Sequence, residues 1–172
     1  IVKPIFQKMV HDGKIGAWGV TGIGVPAQLL QTLKEDPPPD VIQIVANLLD
    51  SPGGLKRFNE PAEPRSMMIS AQDRGIGVMG IRAVQAGALT DHFDREVAAD
   101  SPDYLDYERA ASFRAFAKEN GVSAAFLAHR YSLSIEEVST VVLGVKNRYE
   151  LQECLMAEEM GPLGADQISE ID

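Results

Sequence analysis

The sequence contains one cysteine, Cys154, and one tryptophan, Trp18. A lone cysteine excludes an internal disulfide, and with no CxxC pair and no Cys/His cluster there is no cage at structural-zinc spacing, so no metal site is expected. Positive charge is scarce too: 16 Lys and Arg stand against 25 Asp and Glu, a formal net charge of -9. A chain so poor in basic residues lacks the face that displaces counterions from nucleic acid or meets anionic lipid, so neither is an expected partner. Any anionic ligand must meet a local cluster of positive groups. No apolar run approaches the roughly 20 residues of a membrane span. The opening Ile1-Val2-Lys3-Pro4 is neither a signal peptide nor an initiating methionine, which leads us to expect a chain that starts partway through something larger. Cysteine usage fits a reducing, cytoplasmic setting. A Gly-x-Gly-x-x-Gly turn is missing as well. Gly22-Ile23-Gly24 is the nearest approach, which weakens the case for a doubly wound dinucleotide fold.

What is present is the make-up of one globular domain, with 45% hydrophobic and 24% charged residues over 172 positions, long enough to bury a core. Val2, Ile5, Phe6, Met9 and Val10 recur at helical spacing, and Gly13 supplies the stop. Residues 15–21 (IGAWGVT) follow as a short apolar run without polar alternation, the pattern of a strand covered on both faces in a parallel sheet. A helix opens at Pro26 with Leu29, Leu30 and Leu33 on one side, and Asp36-Pro37-Pro38-Pro39-Asp40 breaks it. Strands are then expected at 41–48, 75–81 and 138–143. Helices are expected around 67–73, over 101–119 behind Ser101-Pro102-Asp103, from Ser123 to near Leu133, and from Asn147. Asn147-Arg148-Tyr149-Glu150 has the form of a capping box. Residues 51–64 read as a surface loop, and Trp18 is expected in the core.

Strands alternating with helices imply an α/β class with a parallel sheet. A closed (βα)8 barrel takes about 250 residues, so four βα units in this length amount to half of one. Helices should then cover one face of the sheet only.

Four segments carry a family resemblance. Gly13-Lys14-Ile15-Gly16-Ala17-Trp18-Gly19-Val20-Thr21 resembles the stretch that enters the fifth barrel strand of the aldo/keto reductases. Gln43 with Asn47-Leu48-Leu49-Asp50 resembles the sixth strand. Gly75-Ile76-Gly77-Val78 followed by Gly87-Ala88-Leu89-Thr90 resembles the seventh strand and its loop. Val142-Leu143-Gly144-Val145-Lys146, then Glu150-Leu151-Gln152-Glu153, resembles the eighth strand and the start of its helix. The resemblance implies a TIM barrel domain of which residues 1–172 are the C-terminal half, strands 5 to 8, with the N-terminal half absent.

It also implies a nicotinamide-dinucleotide site. Thr21 and Gln43 match the residues that hold the nicotinamide carboxamide, and Gly22 stands where the family has Asn. Ile81 takes the place of the aromatic ring stacked on the nicotinamide, and Arg82 stands beside the pyrophosphate. Val84, Ala86 and Gly87 fall in the loop that passes the diphosphate. Gly144, Lys146 and Arg148 lie where the family receives the adenosine 2′-phosphate, at a helix N-terminus that itself favours anions, which implies NADP(H). Glu153 matches the acceptor for the adenine amino group, and Cys154 replaces the Asn beside it. Structural readings stay open: Gln43 as a buried amide on the backbone, Arg82 in a salt bridge, Lys146 and Arg148 as solvated charges.

The family's proton donor is a tyrosine tuned by a lysine and an aspartate, with a histidine nearby, all from the first four strands. None of those strands is expected here, so no catalytic residue is carried over. Tyr104, Tyr107, Tyr131 and Tyr149 fall on expected helices, and His11, His92 and His129 read as structural or surface residues. Residues 91–96 (DHFDRE) read as a solvated flap over the cofactor rather than a catalytic cluster. The implied function is an NADP(H)-dependent oxidoreductase acting on a small aldehyde, ketone or alcohol, this chain supplying the cofactor half. Such a half needs its N-terminal counterpart or self-association. The alternative is a non-catalytic dinucleotide-binding or regulatory module.

Overall fold

A computed structural model describes residues 2–171. The elements run α1 (Lys3–His11), β1 (Gly19–Thr21), α2 (Pro26–Leu33), β2 (Val41–Val45), α3 (Pro64–Gln72) and β3 (Gly77–Ile81). They continue with α4 (Pro102–Arg109), α5 (Ala111–Glu119), α6 (Ala124–Leu133), β4 (Thr140–Val141), α7 (Arg148–Met160) and α8 (Ala165–Ile171). The strands form one parallel sheet in the order β1-β2-β3-β4.

The sheet is two-faced. Ile42, Ile44, Ala46 and Val78 point to one side and are 0–1% exposed, packed with Leu33, Met67, Met68, Ala71, Phe113, Leu127 and Tyr131 from the helices. Ser132 anchors α6 to this side by donating to the Ala46 carbonyl at 2.6 Å. On the other face Thr21, Gln43, Met79 and Thr140 stand in one row by register, exposed or half-exposed, and none belongs to the core cluster. Glycine lets the first strands close up, since a Cβ on Gly19 would collide with the Val41 backbone.

Several boundaries differ from the expectation. The expected strand at 15–21 keeps only Gly19–Thr21; just before it the Trp18 carbonyl still accepts the Asp40 N–H at 3.0 Å, while the Trp18 N–H donates to the Asp40 carboxylate at 2.9 Å. Trp18 itself is outside the core, half-buried and stacked on Phe6 at 6.0 Å. The strand expected over 41–48 ends at Val45, where Asn47 turns its side chain to the backbone of Leu49. The strand expected over 75–81 begins at Gly77, because Gly75, at φ 67°, still closes α3. The strand at 138–143 narrows to Thr140–Val141, flanked by single bonds from Ser139 N to Val78 O and Val142 N to Gly80 O. The helix expected over 101–119 breaks at Ala110. There Arg114, lying over the Tyr107 ring at 3.5 Å, takes the Tyr107 carbonyl at 2.7 Å and competes with the next helical N–H. In the loop at 51–64, expected at the surface, Pro52 and Gly53 are buried, and Gly54 N donates to Asp103 Oδ1 at 3.0 Å. The helix α8 was not foreseen; Ile168 and Ile171 pack it against the core.

Candidate functional site

Two groups of residues occupy the carboxyl ends of the strands. The first lies on the open face of the sheet. Register sets Thr21 beside Gln43, and the Thr21 hydroxyl donates to Gln43 Oε1 at 3.4 Å. The Gly22 N–H donates to the Gln43 carbonyl at 2.6 Å, and a Cβ at Gly22 would come within 2.9 Å of that oxygen. Glycine at 22 therefore goes with a close crossing of the β1 exit over β2. Ile81 ends β3 on the same face, paired with Val45.

The second group is built on the loop after β3. Arg82, Gln85, Ala86 and Gly87 all have positive φ (61°, 45°, 50° and 98°), so three residues with side chains are held in a left-handed conformation. Buried polar groups hold it there. Asn47, fully buried, donates to the Arg82 carbonyl and to Gln85 Oε1, both at 3.1 Å. Gln85 Oε1 also accepts from Arg82 Nε at 2.8 Å, and its Nε2 donates to Asp106 at 2.7 Å. The Arg82 guanidinium points inward, 3.0 Å from Asp103 Oδ1, and burial lowers its pKa against the opposing pull of that carboxylate. Asp106, nearly buried, is paired with Arg109 at 2.8 Å.

This loop, the segment after it and the start of α7 enclose a cleft of about 540 Å³. Of the residues expected to meet a dinucleotide, Val84, Ala86, Gly87, Gly144, Lys146 and Glu153 line it together. Arg82 and Arg148 lie outside its lining, as do Thr21, Gln43 and Ile81 on the sheet face. The α7 terminus is capped as the sequence indicates. Asn147 Oδ1 accepts the Glu150 N–H at 3.0 Å, while Glu150 Oε2 accepts the Lys146 N–H at 2.8 Å. Glu153 bonds the Ser123 hydroxyl, and Lys146 is in contact with the Asp94 carboxylate. Behind Glu153, Cys154 Sγ lies 3.2 Å from His129 Nε2. Burial raises the Cys154 pKa, with Glu153 adding to it, and lowers that of His129, so both are held neutral. His129 Nδ1 is buried without a partner among the described residues.

Sequence reasoning missed Gln85 and Asp106, took Asp103 only as part of a helix start and Asp94 and Arg95 only as part of a flap, and named Asn47 only as part of a motif. Gln85 and Asn47 stand out as polar residues in mostly apolar segments, whereas Asp94, Arg95, Asp103 and Asp106 are lost among other charges in DHFDRE and PDYLDYER. No cluster of three or more metal-ligating side chains occurs among the described residues, and no described helix is long and apolar enough to cross a membrane.

Comparison with known proteins adds three findings. The sequence model of the aldo/keto reductase family matches residues 3–172. L-galactose dehydrogenase from Arabidopsis thaliana is 26% identical over 172 residues, 98% of this chain and 51% of that protein. The structure of a glycerol dehydrogenase from Gluconobacter oxydans superposes with a TM-score of 0.68 at 21% identity, covering 97% of this chain and 51% of its own. The chain thus spans about half the length of the relatives it matches.

Proposed function

Because the chain belongs to the aldo/keto reductase family, we propose that it is the dinucleotide-binding half, strands 5 to 8, of an NADP(H)-dependent barrel oxidoreductase acting on a small aldehyde, ketone or alcohol. The observation that carries this is the convergence of Val84, Ala86, Gly87, Gly144, Lys146 and Glu153 on one cleft at the carboxyl ends of β3 and β4, with the N-terminus of α7 opening into it. The cleft suits the cofactor chemically. Backbone held at positive φ over residues 85–87 leaves a surface free of bulky side chains for a diphosphate, and the α7 N-terminus and Lys146 supply positive potential for a 2′-phosphate. When bound, the dinucleotide exchanges a hydride with the substrate carbon. Thr21 and Gln43 offer a hydroxyl and an amide to its carboxamide, and Ile81 an aliphatic surface to its ring.

Half a barrel leaves apolar groups uncovered, and they occur here at both sides of the sheet. Val2, Ile5 and Val10 are exposed on or beside α1, and Val142, Leu143, Val145, Leu151 and Leu155 around β4 and α7. Four further βα units closing the barrel would cover such groups. Since the matched relative is a sugar dehydrogenase by name, polyhydroxylated alcohols and their carbonyl forms are the first substrates to try. The test is titration of this chain with NADPH by cofactor fluorescence, then an NADPH-oxidation assay after the upstream four units are supplied. Saturable binding, with turnover only in the joined protein, is expected. Absence of binding in both forms would overturn the proposal.

A further inference from the structure

We propose that Asp94 is a specificity-determining residue, a built-in carboxylate that occupies the phosphate seat on Lys146 and so tempers the preference for a 2′-phosphorylated dinucleotide. The inference rests on the reading of the cleft given above and goes further, since Asp94 matches no motif of the chain.

Its position is fixed by its neighbours. Thr90 Oγ1 lies 2.8 Å from the carbonyls of both Gly87 and His92, with one proton to donate to either, and the Tyr107 hydroxyl donates to the Asp91 carbonyl at 3.0 Å. The Phe93 ring packs on Tyr107 at 4.8 Å between centroids, and Arg95 Nη2 donates to the Ala86 carbonyl at 2.8 Å. Asp94 thus lies between two pinned residues, in a segment that borders the cleft. The other carboxylates of the cleft are engaged elsewhere. Asp91 accepts the Ala124 N–H at 3.3 Å, Glu150 caps α7, and Glu153 holds Ser123. Asp94 is the one in contact with Lys146, with Arg95 3.4 Å away on its other oxygen.

A phosphate dianion approaching Lys146 meets this carboxylate. It must displace Asp94 or sit beside a like charge, and either lowers its affinity. A ribose with a free 2′-hydroxyl meets an acceptor instead, the arrangement by which acidic residues favour the unphosphorylated cofactor in dinucleotide sites generally. Lys146 draws in the phosphorylated form and Asp94 offsets it, so the cleft takes both forms with a small ratio between them.

Calorimetric titration of the chain with adenosine 2′,5′-bisphosphate and with 5′-AMP tests this. Asp94→Asn should raise the ratio of the two affinities by about two- to fivefold, the size of an exposed charge contact. Glu96→Gln, which makes the same charge change on the same segment outside the cleft, should leave the ratio unmoved. Lys146→Met should lower it. If Lys146→Met has no effect, the reading of the cleft falls and the inference with it. If Lys146→Met lowers the ratio while Asp94→Asn does not raise it, or Glu96→Gln raises it equally, the role of Asp94 alone is overturned.

Discussion

Replacing Asn47 tests whether the strained loop depends on buried anchors. The side chain is fully buried and donates to the carbonyls of Arg82 (3.1 Å) and Ser51 (3.3 Å) and to Gln85 Oε1 (3.1 Å), while its own oxygen accepts the Leu49 N–H at 3.0 Å. Each such bond contributes about 0.5–1.5 kcal/mol net, and a buried group left without a partner costs about 1–3 kcal/mol. Gln85 Oε1 keeps its bond from Arg82 and the Arg82 carbonyl keeps the Gln85 N–H at 2.8 Å, but the Leu49 N–H loses its side-chain partner. Asn47→Ala should therefore destabilise by about 3–4 kcal/mol, a large part of the 5–15 kcal/mol typical of a domain. Asn47→Leu, of similar volume, separates the cavity from the lost bonds and should rescue little. Urea unfolding would show a lower midpoint at unchanged slope. Proteolysis should cut the 82–87 loop sooner. A loss below about 1 kcal/mol, or full rescue by Leu, would refute the argument that hydrogen bonding holds this loop.

Lys146→Ala in a protein with the upstream half restored should narrow the NADPH-to-NADH affinity difference by about two- to fivefold, that is 0.5–1 kcal/mol for an exposed contact; fluorescence titration checks it. Burial holds the His129 pKa below its reference of 6.5, so its stabilising contribution is complete above that pH and is lost as pH falls through the lower folded value; His129→Gln should flatten the stability–pH curve on that acid side. The Cys154 thiol, with its pKa raised by burial, should resist iodoacetamide until the chain is unfolded, as a mass measurement of alkylation with and without urea would show. The chain alone should self-associate through its sheet edges and show no NADPH-dependent carbonyl reduction; a monodisperse monomer by light scattering, or turnover above background, would contradict this.

Which parts of this were legible follows from where the information sits. The four strands and their parallel order come from apolar runs separated by helical periods, and those runs survive as the buried residues Ile42, Ile44 and Val78. The α7 cap was legible because its partners lie within four residues. Strand ends were not, because remote groups set them: the Trp18 N–H goes to the Asp40 side chain, 22 positions on, rather than to backbone. The break at Ala110 depends on Arg114 reaching back over Tyr107. At the site, the residues that gather in the cleft follow from backbone position alone. Arg148, Thr21, Gln43 and Ile81 stay outside the lining, and so does Arg82, because the direction of a long side chain is decided by its partner. Asp103, 21 residues on, reads in the sequence as part of a helix start and gives no sign of turning back to the loop.

On the proposed reading of the cleft, the inward turn of Arg82 changes how it would meet an anion. Three residues with side chains at positive φ each cost about 1–2 kcal/mol, and the loop keeps that conformation because Asn47, Gln85, Asp103 and Asp106 fasten it from behind. With the guanidinium spent on Asp103, the face presented by Val84, Ala86 and Gly87 is mainly backbone. Backbone N–H groups bind phosphate through fixed dipoles, whereas a mobile guanidinium binds it as a screened charge. The net charge of -9 gives that distinction weight. In an acidic chain, an anion site resting on several exposed cations would be weakened by the surrounding carboxylates. A rigid loop and a helix terminus hold their geometry regardless. If the cleft takes a dinucleotide as proposed, the buried anchors, though outside its lining, bear on affinity as directly as the residues that line it.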